Sequence, residues 1–167
     1  MNPDSVDAVL EYLKTHKLTL TTAESCTAGR MAAMLSEKSG TGEVFESGYV
    51  VYSPAAKQRI LGVQALTIEA FGLTSEEVAR EMALGALSDS PVKVCIATTG
   101  VAGPAAEDDI PPGTVCFAWA FADRPIAVFT HTRRFCGDRQ AVIQQAALYG
   151  LEQLAQCHQC WLRGERG

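Results

Sequence analysis

The sequence predicts an α/β domain, a three-layer α/β/α sandwich with helices on both faces of one mixed sheet. Three observations carry this. Strand-like and helix-like runs alternate in the first two thirds of the chain, the pattern that builds parallel strands. Two later strand-like runs meet at the tight link Ala122-Asp-Arg-Pro125, which suits an antiparallel hairpin. Finally, 47% of the 167 residues are hydrophobic and 20% charged, enough apolar matter for one core. No low-complexity linker, repeat or composition break divides the chain, so 1–167 reads as a single domain, with a core over about 4–156 and a short tail over 157–167.

The elements follow in order. Val6, Val9, Leu10 and Leu13 have the three-and-four spacing of an amphipathic helix over about 4–15. A strand over about 18–23 leads into a helix over about 27–37, a Ser-, Gly- and Thr-rich turn, and a strand over about 44–52. Pro54 suits the opening of a short helix to about Leu61, and a second short helix covers about 64–71. Thr74-Ser-Glu-Glu77 reads as a capping box in which Thr74 and Glu77 satisfy opposite orphan donors. Behind it Val78, Met82 and Ala86 form the buried stripe of a helix to about Leu87. Strands over 93–99, 114–121 and 126–133 follow, and Asp138 can cap a last long helix whose apolar side includes Leu148, Leu151 and Leu154.

Charge and cysteine content narrow the classes of function. With 14 basic against 19 acidic residues the net charge is −5, which disfavours broad contact with nucleic acid. No run approaches the ~18 apolar residues of a membrane span, and the acidic start Met-Asn-Pro-Asp-Ser-Val-Asp does not resemble a signal peptide. A cytoplasmic protein without membrane contact is expected. The six cysteines need not be disulfide-linked in a chain with this much core, and Cys95 and Cys116 fall in apolar strands as buried thiols. Cys157-His-Gln-Cys160 offers half a zinc site with no second pair to complete it, so the expectation is a solvated helix end and no metal.

The segment Thr21-Thr-Ala-Glu-Ser-Cys-Thr-Ala-Gly-Arg30 sits at a strand-to-helix junction. Hydroxyl oxygens and orphan N–H donors gather at such a place and can hold a phosphate or an oxyanion. Ser25, Cys26 and Thr27 are also candidate nucleophiles; equally, Ser25 or Thr27 can simply cap the helix. None of the three histidines falls in a motif with them, and no Gly-x-Ser-x-Gly elbow is present. Lys57 is the alternative base, provided burial or a nearby cation depresses its pKa.

Four further segments follow in sequence: Gly48-Tyr-Val-Val-Tyr-Ser-Pro-Ala-Ala-Lys57, Thr99-Gly-Val-Ala-Gly-Pro104, Gly113-Thr-Val and Thr132-Arg-Arg-Phe-Cys-Gly-Asp-Arg-Gln-Ala141. Together with the junction they resemble the CinA carboxy-terminal domain family, also called the nicotinamide mononucleotide deamidase family, from about Asp4 to about Gln156. The resemblance implies hydrolysis of nicotinamide mononucleotide to nicotinate mononucleotide and ammonia, with no cofactor or metal. It implies Ser25, Lys57 and Tyr52 as the catalytic set. Cys26, Thr27, Gly29, Tyr49, Gly100, Gly103 and Arg139 would contact a small nucleotide substrate, with the backbone N–H groups of Cys26 and Thr27, or those of the Gly100–Gly103 loop, as the oxyanion donors. A homodimer is the assembly it suggests.

Two positions depart from the family pattern. Its Gly-Pro-Asp-Gly-Gly reads here Gly103-Pro-Ala-Ala-Glu-Asp-Asp109, and the arginine expected four residues after Arg139 is Ile143. Acid near a ligand phosphate, and a missing helix-borne cation, should both weaken phosphate capture. The alternative function is therefore a family paralogue that binds a nucleotide, or regulates, with little or no deamidase activity.

Overall fold

The structure is a computed structural model that describes residues 4–123 and 125–167. Residues 1–3 of the amino-terminal run read for a signal peptide, and Arg124 of the expected hairpin link, lie outside the described residues. In chain order come α1 (Asp4–Thr15), β1 (Leu20–Glu24), α2 (Arg30–Ser36), a 3-10 turn (Thr41–Glu43), β2 (Phe45–Val50), α3 (Pro54–Leu61) and α4 (Ala65–Phe71). Then follow α5 (Glu76–Asp89), β3 (Val94–Gly100), β4 (Thr114–Phe121), β5 (Ala127–Arg134), α6 (Arg139–Glu152) and α7 (Leu154–Leu162). The five strands form one sheet in the order β2-β1-β3-β4-β5. β1 runs parallel to β2 and β3, while β3–β4 and β4–β5 are antiparallel, so the sheet is mixed as expected.

Alternation along the strands divides the core. On β4, Phe117, Trp119 and Phe121 face α1, α2, α6 and α7, whereas Cys116, Ala118 and Ala120 face α3 and α5. The small side chains on the second face leave room for α5 to approach through Ala79, Met82, Ala83 and Ala86. Gly85 is required where α5 crosses α3, since a Cβ there would lie 1.9 Å from the Leu61 carbonyl oxygen. On the first face the Trp119 Nε1–H donates to the Gly150 carbonyl at 2.8 Å, satisfying the one polar atom of a buried ring.

Two local expectations are corrected. α5 is capped by Ser75, whose Oγ accepts from the Val78 N–H at 3.2 Å while donating to the Gly72 carbonyl at 2.9 Å. Thr74 is one residue too early, and the Ser75 hydroxyl has both an acceptor and a donor in reach. The segment 157–167 is not simply a tail: α7 continues to Leu162 and docks on the core. His158 is buried, hydrogen-bonded through Nδ1 to the Tyr12 hydroxyl at 2.9 Å, and Trp161 stacks on Phe121 with centroids 5.2 Å apart. Burial of Leu154, His158 and Trp161 on one helical side gives this helix a packing face that outweighs its polar composition. Cys157 is half-buried and Cys160 Sγ accepts from Arg163 Nη2 at 3.1 Å. Among the described residues no group of three or more His, Cys, Asp or Glu side chains is placed to hold a metal ion.

Candidate active site

β1, β2 and β3 are parallel and end on the same side of the sheet, and the chain leaves β1 toward one face and β2 toward the other. Such a switch in strand order opens a crevice beyond the carboxyl ends of the strands. Ser25 follows β1 directly, held by donation of its N–H to the Thr98 carbonyl of β3 at 3.0 Å. Beyond β2, the Val51 N–H donates to the Glu24 carbonyl at 2.9 Å and Ser53 caps α3, accepting from the Ala56 N–H at 3.1 Å. With Pro54 at its first turn, α3 turns Lys57 inward over the end of β1.

Lys57 is 2% exposed and Ser25 is 7% exposed, and their Nζ and Oγ atoms lie 2.8 Å apart. Nζ also donates to the carbonyls of Val51 and Tyr52, each at 3.0 Å. Burial depresses the Lys57 pKa below the ordinary lysine value. A neutral amine fits these partners: two N–H groups serve the two carbonyls and the lone pair faces the Ser25 hydroxyl proton. The Cys26 thiol is buried and its pKa is pushed up to about 12, leaving it no thiolate at neutral pH.

The junction holds one residue that the sequence analysis did not single out. Glu24 is fully buried, and its Oε2 accepts from the Thr27 hydroxyl at 2.7 Å and the Met31 N–H at 3.1 Å, its Oε1 from the Ala32 N–H at 3.0 Å. The positive end of α2 is therefore answered by an internal carboxylate, not left open for a ligand phosphate. The expected caps, Ser25 and Thr27, do other work; the N-cap position itself is Gly29 with φ +89°. The signal was an acid at the end of a strand, just before a helix start rich in small residues. Glu24→Gln replaces an acceptor-only group by an amide that sets N–H against N–H. It should cost about 1–3 kcal/mol of stability, read as a lower denaturant midpoint at unchanged slope.

Because Glu24 meets the α2 donors, the preceding turn is left uncommitted. Among the described residues, the N–H groups of Cys26 and Thr27 donate to no protein oxygen. They belong to the turn that begins at Ser25, closed by donation of the Ala28 N–H to the Ser25 carbonyl at 3.0 Å. Ser25, Cys26, Lys57, Thr99, Gly100 and Glu107 line an inner pocket of about 100 Å³. A larger cleft of about 760 Å³, lined by Gly103, Pro112, Arg134, Cys136 and Gly137, adjoins it, and Ala102 and Arg139 belong to both.

Arg139, the first residue of α6, forms the partition. Its Nη1 donates to the Gly103 carbonyl and its Nη2 to the Tyr52 hydroxyl, both at 2.6 Å. Tyr52 is half in solvent, and its phenol meets Arg139 instead of Ser25; it is the Tyr52 carbonyl that touches Lys57. Tyr49, Gly29 and Thr27 do not line either cavity. The Tyr49 hydroxyl donates to Asp89 Oδ2 at 2.6 Å, because its position on β2 directs it toward α5. Arg133 and Arg134 diverge as alternating strand residues must: Arg133 stacks over Tyr149 and Arg134 lines the outer cleft.

The departures also acquire positions. Of the three acids in 107–109, Glu107 lines the inner pocket and none lines the outer cleft, where Asp138 is the acid beside Arg134 and Arg139. Ile143 is half-buried against the core and borders a separate hollow with Arg30 and Gln144.

The chain is an α/β protein with a serine hydroxyl set against a buried lysine amine at the ends of parallel strands, an arrangement with the parts that covalent attack through oxygen requires. Comparison with known proteins narrows the class to a family. A model of the CinA C-terminal domain matches residues 3–158, and the chain belongs to that family. The nicotinamide-nucleotide amidohydrolase PncC of Escherichia coli K12 is 41% identical over 153 residues, covering 90% of each chain. That of Enterobacter agglomerans is 42% identical over 134 residues, 80% of each. Protein YdeJ of Escherichia coli K12 is 39% identical over 150 residues, 89% of this chain and 86% of the other. A crystal structure of the competence damage-inducible protein A from Klebsiella pneumoniae superposes with a TM-score of 0.90 at 35% identity, covering 95% of this chain and 98% of that one. Among the described residues no helix is long and apolar enough to cross a membrane.

Proposed function

We propose that the protein hydrolyses the carboxamide of nicotinamide mononucleotide, giving nicotinate mononucleotide and ammonia. The observation that carries this reading is the 2.8 Å contact between Ser25 Oγ and a buried Lys57 amine, in a chain about 40% identical to proteins named for that activity. Lys57 takes the Ser25 proton as Oγ bonds to the amide carbon, and the Cys26 and Thr27 N–H groups receive the oxyanion. When the carbon–nitrogen bond breaks, the Lys57 ammonium returns its proton to the departing NH₂, which leaves as ammonia. Water then attacks the acyl-serine, giving a proton to Lys57, and release of the carboxylate restores the Ser25 hydroxyl. The inner pocket is sized for the carboxamide end, and the outer cleft offers Arg134 and Arg139 for the ribose phosphate. Tyr52 is placed to orient Arg139 over the mouth of the inner pocket.

A second reading, a nucleotide-binding paralogue with little turnover, draws support from the replaced Gly103–Asp109 loop and from Ile143. Ammonia release measured across nicotinamide mononucleotide, nicotinamide riboside and simple amides separates the two. Rapid release from the mononucleotide alone is the expected result. Tight binding of the mononucleotide without ammonia release would favour the paralogue.

A further inference from the structure

We propose that Thr98 of β3 is a positioning residue for the reaction at Ser25, its main chain and side chain together fixing the turn that carries the nucleophile. The inference rests on the amidase reading of Ser25 and Lys57 and adds the group that ties their turn to the sheet.

Thr98 is fully buried and pairs with Glu24 across β3 and β1, one residue before the turn begins. It grips that turn at two points. Its carbonyl accepts from the Ser25 N–H at 3.0 Å, and its hydroxyl lies 2.8 Å from the Thr27 hydroxyl. The Thr27 hydroxyl gives its single proton to Glu24 Oε2 at 2.7 Å, so Thr98 is the donor of the pair. A directed chain results, Thr98 to Thr27 to the Glu24 carboxylate, closed off from solvent, in which each bond polarises the next. Thr99 takes no part. Alternation sends its hydroxyl to the opposite face, where it donates to the Leu73 carbonyl at 2.8 Å.

Ser25 and Thr27 are thus the two held ends of a short segment, and Cys26 lies between them. Without the Thr98 hydroxyl, Thr27 keeps its Glu24 acceptor, so its proton is not orphaned. The turn would then be tied through Thr27 only to Glu24, which α2 holds by the Met31 and Ala32 N–H groups. Its position against β3 would rest on the Ser25 N–H alone. A shift of a fraction of an ångström at the nucleophile slows the chemical step while leaving the remainder of the substrate bound as before.

Thr98→Val keeps the shape of the side chain and removes the donor. With nicotinamide mononucleotide, kcat for ammonia release should fall roughly five- to thirtyfold while KM stays within about twofold, and Thr98→Ser should restore most of the loss. The pH midpoint of activity should not move, because Lys57 keeps its burial and both carbonyl acceptors. A general loosening of the core would instead admit water to Lys57 and shift that midpoint toward the ordinary lysine value. An unchanged kcat in Thr98→Val, or a fall that comes with a shifted midpoint and no rescue by serine, would overturn the proposal. If Thr98→Val does not fold, Thr98→Cys, a weaker donor of similar size, is held to the same criteria. Acylation of Ser25 by p-nitrophenyl acetate, followed as nitrophenolate release, separates the two readings. Wild-type protein that is acylated but releases no ammonia would end the amidase reading, and the same comparison of acylation rates would then decide the role of Thr98. Should Ser25 not be acylated either, both readings fall.

Discussion

Lys57→Met should lower turnover by roughly two to four orders of magnitude. Methionine keeps the length of the stem but removes the amine that lies 2.8 Å from Ser25 Oγ, in place to take its proton. Lys57→Arg should fail almost as badly, because a guanidinium stays protonated at any working pH. Wild-type activity should rise with pH through an ionisation below the ordinary lysine value, since burial disfavours the ammonium. Stability should follow the same group. Between the depressed folded pKa and the ordinary unfolded one, the unfolded chain binds more protons, so stability increases with pH across that window. Below the folded pKa both states are protonated and this increment is absent. Lys57→Met should flatten the slope, checked by denaturant titrations at several pH values. If Lys57→Arg kept most of the activity, the lysine would be an electrostatic contact only and the base would lie elsewhere.

The contact between Ser25 and Lys57, the pair proposed for catalysis, was legible because each partner has a strong local signature. Ser25 sits where a strand pattern gives way to a helix pattern, and Lys57 follows Pro54 in a segment otherwise poor in charge. The strands were legible from their apolar runs, which the buried pattern of β3 and β4 reproduces. Side-chain partners across the fold were harder to read. That Tyr52 reaches Arg139, 87 residues on, depends on α6 starting beside the Gly103 loop, which no local pattern encodes. Glu24 was missed for a related reason: an acid inside a strand reads as a surface position until the helix behind it is placed. α7 was missed because its apolar face is made of His158 and Trp161, side chains that hydropathy ranks low but whose rings bury well against Phe121.

Glu24, Arg139 and Glu107 also show how charge is distributed around one small pocket. Glu24 answers the helix end behind Ser25 by accepting from the Met31 and Ala32 N–H groups, which leaves the N–H groups of the preceding turn for the oxyanion role proposed above. Arg139 bonds to Gly103 and Tyr52 at the mouth, fixing a cation where the two cavities meet. Both signs of charge border each cavity, Lys57, Arg139 and Glu107 at the inner pocket and Arg134, Asp138 and Arg139 at the outer cleft.

Ser25→Ala should abolish ammonia release while leaving the fold and ligand affinity close to wild type. The substitution removes one hydroxyl whose partner is Lys57 Nζ, and Lys57 keeps both carbonyl acceptors, so no buried donor loses all its partners. The Ser25 N–H still ties the turn to Thr98. Removing a nucleophile on which the lysine, the oxyanion donors and the leaving-group acid all depend should cost as much as removing the whole set. Cys26 cannot stand in, because burial holds its thiol protonated with a pKa near 12. Trapping with nicotinamide mononucleotide and mass spectrometry should show an acyl adduct on wild-type protein at Ser25 and none on the alanine variant. Near-normal turnover by Ser25→Ala would remove serine from the mechanism. Activity lost only in Cys26→Ala would transfer the chemistry to sulfur, against everything that the burial of that thiol implies.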